Sequence, residues 1–246
     1  MKYPLLVVVS VAVLATSAMA QESLLISMGT RETGSTAMIG ENGGASGSIE
    51  WLDIDAQTLA LDGMWYQFTF DMDAVGVSAF TGDGILDGLA GTLEHIRIRS
   101  NGFAGPITLW IDNVTDSIDP AGPPPPTDVI FGDFEGYEAE DEVLFQEPGF
   151  SGSTDSYLNL DTGPNVAGVD NTVAYAGEAS YKVEFQFIDN SMDNWLRLTT
   201  YAAANQPNPT IAYDQDSVVS FWIMGIPEPS TLVLLGLSAV VLVRRR

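Results

Sequence analysis

The chain has no cysteine and one histidine among its 246 residues, and its 9 lysine and arginine residues face 33 aspartate and glutamate residues. Without cysteine there can be no disulfide, thiol nucleophile or cysteine-ligated zinc, so stability must come from the packed core. The formal net charge of −24 repels nucleic acid and anionic membrane surfaces. Divalent cations and neutral glycans remain compatible partners, and no nucleic-acid partner is expected.

Long apolar runs occur only at the two ends of the chain. Near the N-terminus, Lys2 precedes an apolar run from Leu5 to Ala15, and small residues follow at Ala18 and Ala20. This run is shorter than the roughly 20 residues of a membrane span, and its layout is typical of a secretory signal. We therefore predict that signal peptidase removes residues 1–20 and leaves Gln21 as the new N-terminus.

The C-terminal end combines a Pro-Glu-Pro triplet, a short apolar run over 232–243 and a basic end. Such a run is short for a stable span, and terminal arginines favour a cytoplasmic end, so the tail could be a permanent anchor or a removable label. The three-part pattern resembles the PEP-CTERM sorting signal of Gram-negative bacteria. The pattern is carried by Pro227, Glu228, Pro229, Arg244, Arg245 and Arg246.

This resemblance covers residues 227–246 and favours the label. It implies a transient attachment to the inner membrane, recognition by an exosortase and cleavage near the Pro-Glu-Pro triplet. The protein is then expected at the cell surface or in the extracellular matrix, where exopolysaccharide surrounds it.

Between residues 21 and 226, no stretch keeps a helical apolar period over three turns. Apolar residues alternate instead, as in "MWYQFTF", "LEHIRIR", "SYKVEFQFI" and "SVVSFWI", with turn-forming stretches between them. Alternation of this kind predicts short half-buried strands. The expected fold is all-β, a β-sandwich or jelly roll. The Gly/Ser-rich stretch 28–51 is predicted to hold two strands around a wide loop.

The proline-rich segment 119–127 divides this region into the halves 21–118 and 128–226, which could be two domains. However, "GPITLWIDNV" resembles the closing strand, and "VIFGDFEGY" the opening strand, of the galactose-binding-like jelly roll found in carbohydrate-binding modules. Here the closing strand comes first. We therefore predict one circularly permuted jelly roll built from both halves, with the strands near 24–28 and 218–223 as neighbours and Asp112 near Glu135.

The same resemblance implies a structural Ca²⁺ bound by Asp112 and Glu135, with Asp133 as a third ligand. Ca²⁺ takes six to eight oxygen ligands, which converging loops can supply. In so acidic a chain the same carboxylates could instead be solvated loop residues. A second acidic loop, with Asp83 and Asp87, lacks the complete calcium-loop pattern and favours a tight turn.

Aromatic and planar polar side chains on strand faces suggest glycan binding. The predicted glycan-binding residues are Trp65, His95, Arg97, Arg99, Trp195 and Arg197, and Trp110 also lies opposite the aliphatic residues of its strand. The alternative is that the tryptophans are core residues and the arginines pair with acids.

The sequence therefore predicts an exported, non-catalytic surface or matrix protein that binds polysaccharide. A carbohydrate-active enzyme is one alternative, because Glu32, Glu50 and Glu94 could supply a pair of carboxylates. A serine triad would have to use His95, and no G-x-S-x-G motif supports it. A matrix protein without a ligand is the other alternative.

Overall fold

The computed structural model describes residues 22–32, 49–86, 90–118, 129–200, 208–213 and 217–228. Within these ranges the chain forms two six-stranded sheets whose ladders are all antiparallel. The only helical segments among the described residues are two 3₁₀ turns, Pro148–Phe150 and Asp155–Tyr157. The predicted all-β sandwich is confirmed.

The first sheet, sheet A, has the strand order β10-β5-β1-β2-β4, and β11 pairs with β5 alongside β10. Its strands are β1 (Ser23–Glu32), β2 (Ile49–Ala60), β4 (Val77–Ala79), β5 (Ala90–Ser100), β10 (Trp195–Thr199) and β11 (Thr210–Ala212). The predicted strand pair around the Gly/Ser-rich stretch is present as the antiparallel pair β1 and β2. The loop between them lies outside the described residues.

The second sheet, sheet B, has the order β3-β12-β6-β9-β8, and β7 pairs with β6. Its strands are β3 (Trp65–Asp71), β6 (Pro106–Ile118), β7 (Val129–Gly132), β8 (Asn165–Asp170), β9 (Ser180–Gln186) and β12 (Ser217–Pro227).

The core lies between the sheets, where the apolar residues of each alternating pattern meet. On β12, Val219, Phe221 and Ile223 are fully buried, and the residues between them are half-exposed. On β5, Ile96 and Ile98 are fully buried on the same side. Alternation works as a guide because successive side chains of a strand point to opposite faces.

Strands from both halves of the chain are interleaved in both sheets. In sheet B, β12 lies between β3 and β6, and in sheet A, β10 and β11 pair with β5. The closing-type strand β6 pairs with the opening-type strand β7. The linker 119–127 lies outside the described residues, and the permuted origin of this order stays a prediction.

The expectation that the strands near 24–28 and 218–223 are neighbours was wrong. β1 and β12 lie in opposite sheets, because β1 fills the gap between β5 and β2 while β12 fills the gap between β3 and β6. Their outer ends nevertheless approach the same turn. The carbonyl of Glu22 accepts the Leu61 N–H at 2.9 Å, and the carbonyl of Gly225 accepts the Gly63 N–H at 3.0 Å.

This interleaving predicts that neither half folds alone. We expect residues 21–118 and residues 128–226, expressed separately, to lack a cooperative thermal transition by circular dichroism, because the first fragment loses β12 from between β3 and β6. Co-expression should restore the transition seen with the intact chain, which is the control. Two soluble fragments that each melt cooperatively would contradict the prediction.

Candidate functional site

The six predicted glycan-binding residues do not form one surface. Trp65 lies on β3, on the outer face of sheet B. The other five lie on the neighbouring strands β5 and β10 of sheet A. In the register of these strands, Arg97 lies opposite Arg197 and Arg99 lies opposite Trp195. The two faces therefore need separate descriptions.

On sheet A, aromatic rings and guanidinium groups pack into a compact group. We call it the arginine–tryptophan cluster, and its members are Trp51, Phe80, His95, Arg97, Trp195 and Arg197. Trp51 stacks on Phe80 with ring centroids 4.7 Å apart and meets Trp195 edge-on at 5.4 Å. The Arg97 guanidinium lies 4.7 Å from the Trp51 ring centroid, within the range of a cation–π contact.

A glycine and a β-bulge place His95 in this cluster. Gly29 is opposite both His95 on β5 and Trp51 on β2. A Cβ atom at Gly29 would collide with the imidazole, so only glycine leaves room for the ring above β1. The pairing then shifts between Gly29 and Thr30, which leaves Glu94 as the extra residue of the bulge.

Glu94 is the counter-ion of two buried arginines. Its carboxylate accepts two hydrogen bonds from Arg31, at 2.8 and 2.9 Å, and one from Arg197 at 2.5 Å. The Asn208 amide donates to the same carboxylate at 3.0 Å. The glutamate and both arginines are less than 10% exposed. Removing the Glu94 charge would therefore leave the Arg197 guanidinium buried without this carboxylate.

The surroundings of His95 favour its neutral form. Burial, followed by the charges of Arg197, Arg97 and Arg31, holds the pKa of His95 well below its usual range. Its Nε2 accepts a hydrogen bond from Trp51 Nε1 at 3.2 Å, which requires an unprotonated nitrogen there. Its Nδ1 has no hydrogen-bond partner among the described residues.

The arginine–tryptophan cluster is therefore an interior structure and not an open platform. His95 is fully buried, and Arg97, Trp195 and Arg197 are 6–8% exposed. The sequence pattern predicted their common face but missed Trp51 and Phe80. Phe80 lies in the loop after the three-residue strand β4, where the sequence has no alternation of apolar residues that would identify it. Trp51 could have been found from the alternation within β2.

The outer face of sheet B carries a different aromatic group, which is partly open. One row of directly paired residues crosses four strands, with Trp65 on β3, Met224 on β12, Trp110 on β6 and Lys182 on β9. Directly paired residues share a face. At about 4.8 Å between strands, this row spans roughly 14 Å.

Tyr175 and Trp222 complete this group. Their rings stack with centroids 3.8 Å apart, and Trp65 meets Tyr175 edge-on at 5.8 Å. We call Trp65, Trp110, Tyr175, Lys182, Trp222 and Met224 the sheet B platform. Tyr175 is 42% exposed, and the three tryptophans are half-buried. The platform is thus accessible where the cluster on sheet A is not.

The predicted calcium ligands hold the loop that carries Tyr175. Asp112 Oδ2 accepts the N–H groups of Tyr175 and Ala176 at 2.8 and 3.1 Å. Glu135 Oε1 accepts those of Glu178 and Ala179 at 2.8 and 3.1 Å. The two carboxylates therefore act as clamps on successive parts of one loop.

The charge of Glu135 acts on the carboxyl group of Asp112. Burial raises the pKa of Asp112, hydrogen bonds from the Ala176, Tyr175 and Asn113 amides oppose this, and the Glu135 charge adds to it. The clamp on Tyr175 thus keeps a partly desolvated carboxylate next to a second carboxylate.

This geometry offers a cation few free oxygens. The clamping oxygens face N–H donors, and Asp133 Oδ1 accepts the Glu135 N–H at 3.2 Å. Within the described ranges, no group of three or more histidine, aspartate or glutamate residues could hold a metal ion. In the second acidic loop, Asp83 Oδ1 accepts the Ile85 N–H in a tight turn, and Asp87 lies outside the described residues. The Ca²⁺ site stays a prediction.

The carboxylates considered for catalysis are also engaged. Glu50 is fully buried and accepts the N–H groups of Asp83 and Gly84 at 2.7 and 2.9 Å. Glu94 binds the arginines described above, and the Glu32 side chain lies outside the described residues.

Polar groups border the platform at Trp110. The Trp110 indole donates to Asp170 Oδ2 at 2.8 Å. Burial opposes the ionisation of Asp170, but hydrogen bonds from Thr172 and Trp110 and the charge of Lys182 outweigh it and lower the pKa. Asp170 and Lys182 also line a neighbouring pocket of about 290 Å³, together with residues of β8.

The candidate sorting signal begins at the end of β12. Pro227 is the last residue of that strand, and Glu228 follows it on the surface. Pro229 and the three terminal arginines lie outside the described residues, as does the predicted signal peptide. No helix among the described residues is long and apolar enough to cross a membrane.

The fold and the C-terminal sequence together define a two-sheet β-sandwich that ends in a sorting segment. Residues 225–246 match the family model of the PEP-CTERM protein-sorting motif, which implies export and recognition by an exosortase. No curated protein and no solved structure matches the chain. The galactose-binding-like resemblance therefore stays a prediction.

The buried charge cluster predicts a large cost for neutralising Glu94. We expect Glu94→Gln to lower the free energy of unfolding by about 3–5 kcal/mol, because it removes the carboxylate charge that the buried Arg197 guanidinium binds and that Arg31 also contacts. Glu184→Gln is the control, since it removes a partly exposed partner of Lys182 and should cost at most about 1 kcal/mol. Denaturant unfolding measures both, and equal costs would contradict the cluster's role.

The calcium hypothesis is tested by melting temperature. If Asp112 and Glu135 bind Ca²⁺, a hundredfold excess over the dissociation constant should stabilise the protein by about 2.7 kcal/mol, and EDTA should reverse this. Asp112→Asn or Glu135→Gln should abolish the shift, while Asp155→Asn, at an exposed turn, should leave it intact. No shift in the unsubstituted protein would leave the carboxylates as loop clamps alone.

Proposed function

We propose that this protein is a non-catalytic component of the cell surface or extracellular matrix that binds neutral polysaccharide on the outer face of sheet B. The observation that carries the proposal is the sheet B platform, in which three tryptophans and Tyr175 lie together on one accessible sheet face.

The chemistry of the platform suits a sugar chain. Aromatic rings offer rigid apolar faces, which can cover the C–H faces of sugar rings, while indole and phenol groups keep a polar edge. Hydroxyl groups of a sugar need donors and acceptors beside those rings. Asp170, Lys182 and Glu184 supply them on neighbouring strands of the same sheet.

Charge favours a neutral ligand. With a formal net charge of −24, the protein repels anionic polysaccharides over distances comparable with the Debye length. Lys182 is the lysine of the platform, and it lies 3.3 Å from Glu184. With Asp170 and Glu184 beside this single lysine, the platform has no excess of positive charge that would attract an anionic polymer. Binding would therefore depend on stacking and hydrogen bonds.

The sorting motif supports the location. A PEP-CTERM signal implies export, and we place the processed protein at the surface of a Gram-negative cell or in its exopolysaccharide matrix. The calcium ion, if present, would stabilise the loop of Tyr175 and take no part in chemistry.

The exposed ring of the platform gives a sharp test of polysaccharide binding. We expect the processed protein, recovered from the host surface, to bind neutral glycans on an array, and Tyr175→Ala to weaken that binding by about tenfold or more. Phe150→Ala is the matched control, because Phe150 is a similarly exposed aromatic residue (45%) in a 3₁₀ turn. Its binding should equal that of the unsubstituted protein.

The remaining outcomes separate the alternatives. Release of shorter sugars from a bound glycan would instead show that the protein is a carbohydrate-active enzyme. Absence of binding to every glycan, with a cooperatively melting protein, would favour a structural matrix protein. Equal losses for Tyr175→Ala and Phe150→Ala would show that the platform is not the binding surface.

A further inference from the structure

The sorting motif is continuous with a central strand of the folded domain. Strand β12 is paired with β3 as far as Met224 and with β6 as far as Pro227, which lies opposite Ile107. The matched motif starts at residue 225, so its first residues belong to sheet B. No spacer separates the fold from the segment that the exosortase recognises.

Glu228, the acidic residue of the motif, is held by the neighbouring strand. Its N–H donates to the Pro106 carbonyl at 2.8 Å, and its carboxylate accepts the Thr108 hydroxyl at 2.7 Å. Thr108 is only 2% exposed, although Glu228 itself lies on the surface. We call Pro106, Thr108 and Glu228 the motif latch.

The distance to the apolar tail is short. Only Pro229, Ser230 and Thr231 separate Glu228 from Leu232, where the apolar run begins. Four residue steps span at most about 14 Å even when fully extended. While the tail is in the membrane, the end of sheet B must therefore stay close to the bilayer surface, and an enzyme embedded in that bilayer has little room beside it.

Enzymes and receptors that take extended peptides use the free hydrogen-bonding edge of the backbone. Here hydrogen bonds to β6 already use one backbone edge of β12 and of Glu228. The Thr108 hydroxyl also donates to the Glu228 carboxylate. We infer that the folded sandwich withholds the Pro-Glu-Pro motif from the exosortase, and that processing requires the end of β12 to detach from β6. The Thr108 hydroxyl then limits how often the motif is exposed.

Opening a strand end is a local event that costs far less than global unfolding. A hydrogen bond to a charged group contributes enough to change an opening equilibrium by about tenfold. Removing the Thr108 hydroxyl should therefore accelerate processing by about that factor. A substitution at Glu228 could not test this, because Glu228 belongs to the motif that the enzyme recognises.

The experiment follows processing of the full-length chain by pulse-chase in a host that processes the unsubstituted protein. Thr108→Val keeps the shape of the side chain and removes the hydroxyl, and we expect processing about tenfold faster. Thr108→Ser keeps the hydroxyl and should match the unsubstituted rate. Thr115→Val is the matched control, because the Thr115 hydroxyl pairs with that of Ser220 across β6 and β12 at 3.0 Å, away from the motif.

A second variant guards against misfolding of Thr108→Val. Four Gly/Ser residues inserted between Met224 and Gly225 leave the pairing of β12 with β3 intact as far as Met224. They move the whole matched motif, residues 225–246, out of the latch without interrupting it, so processing should again be faster. Processing of Thr108→Val or of the insertion at or below the unsubstituted rate would overturn the inference. Equal acceleration by Thr115→Val would also overturn it, since general loosening of β12 would then suffice.

Discussion

The position of β12 between β3 and β6 is the constraint on which the structure depends. This last strand of the described chain joins strands that come from the first half, so sheet B is incomplete until residues 217–227 have been made. Its inner residues, Val219, Phe221 and Ile223, supply part of the core between the sheets. The same strand ends in the sorting motif, which connects folding of the sandwich with access of the exosortase to its substrate.

Buried charge and carboxylate clamps take the place that disulfides occupy in many exported proteins. Glu94 joins β5 to Arg31 on β1 and Arg197 on β10, and so ties three strands of sheet A through one carboxylate. Asp112 and Glu135 perform a similar task on the outside of sheet B, where they hold the loop of Tyr175. An acidic chain can use carboxylates in this way because the backbone N–H groups of a loop need hydrogen-bond acceptors wherever the loop packs against a sheet and loses contact with water.

The sequence predicted the strands well and the sites in part. Alternation placed Ile96 and Ile98 on the inner face of β5 and His95 and Arg97 on the outer face, as the structure shows. It could not show that His95 and Arg97 are buried as well, because Phe80, which packs against His95, lies in a non-periodic loop. It also could not show that Trp65 lies on the opposite sheet from Trp195, since strand order depends on long-range pairing.

By itself, the sequence determined the strand pattern, the acidic character and the C-terminal sorting motif, because each of these depends on local composition and spacing. The N-terminal signal peptide stays a prediction. The tertiary structure decided which strands are neighbours, which aromatic face is open and which carboxylates are occupied. It also brought Thr108 of β6 to Glu228, 120 residues further along the chain. Hydrogen bonds between strands form across any separation in sequence. The local sequence pattern of a strand therefore does not predict which other strands will pair with it.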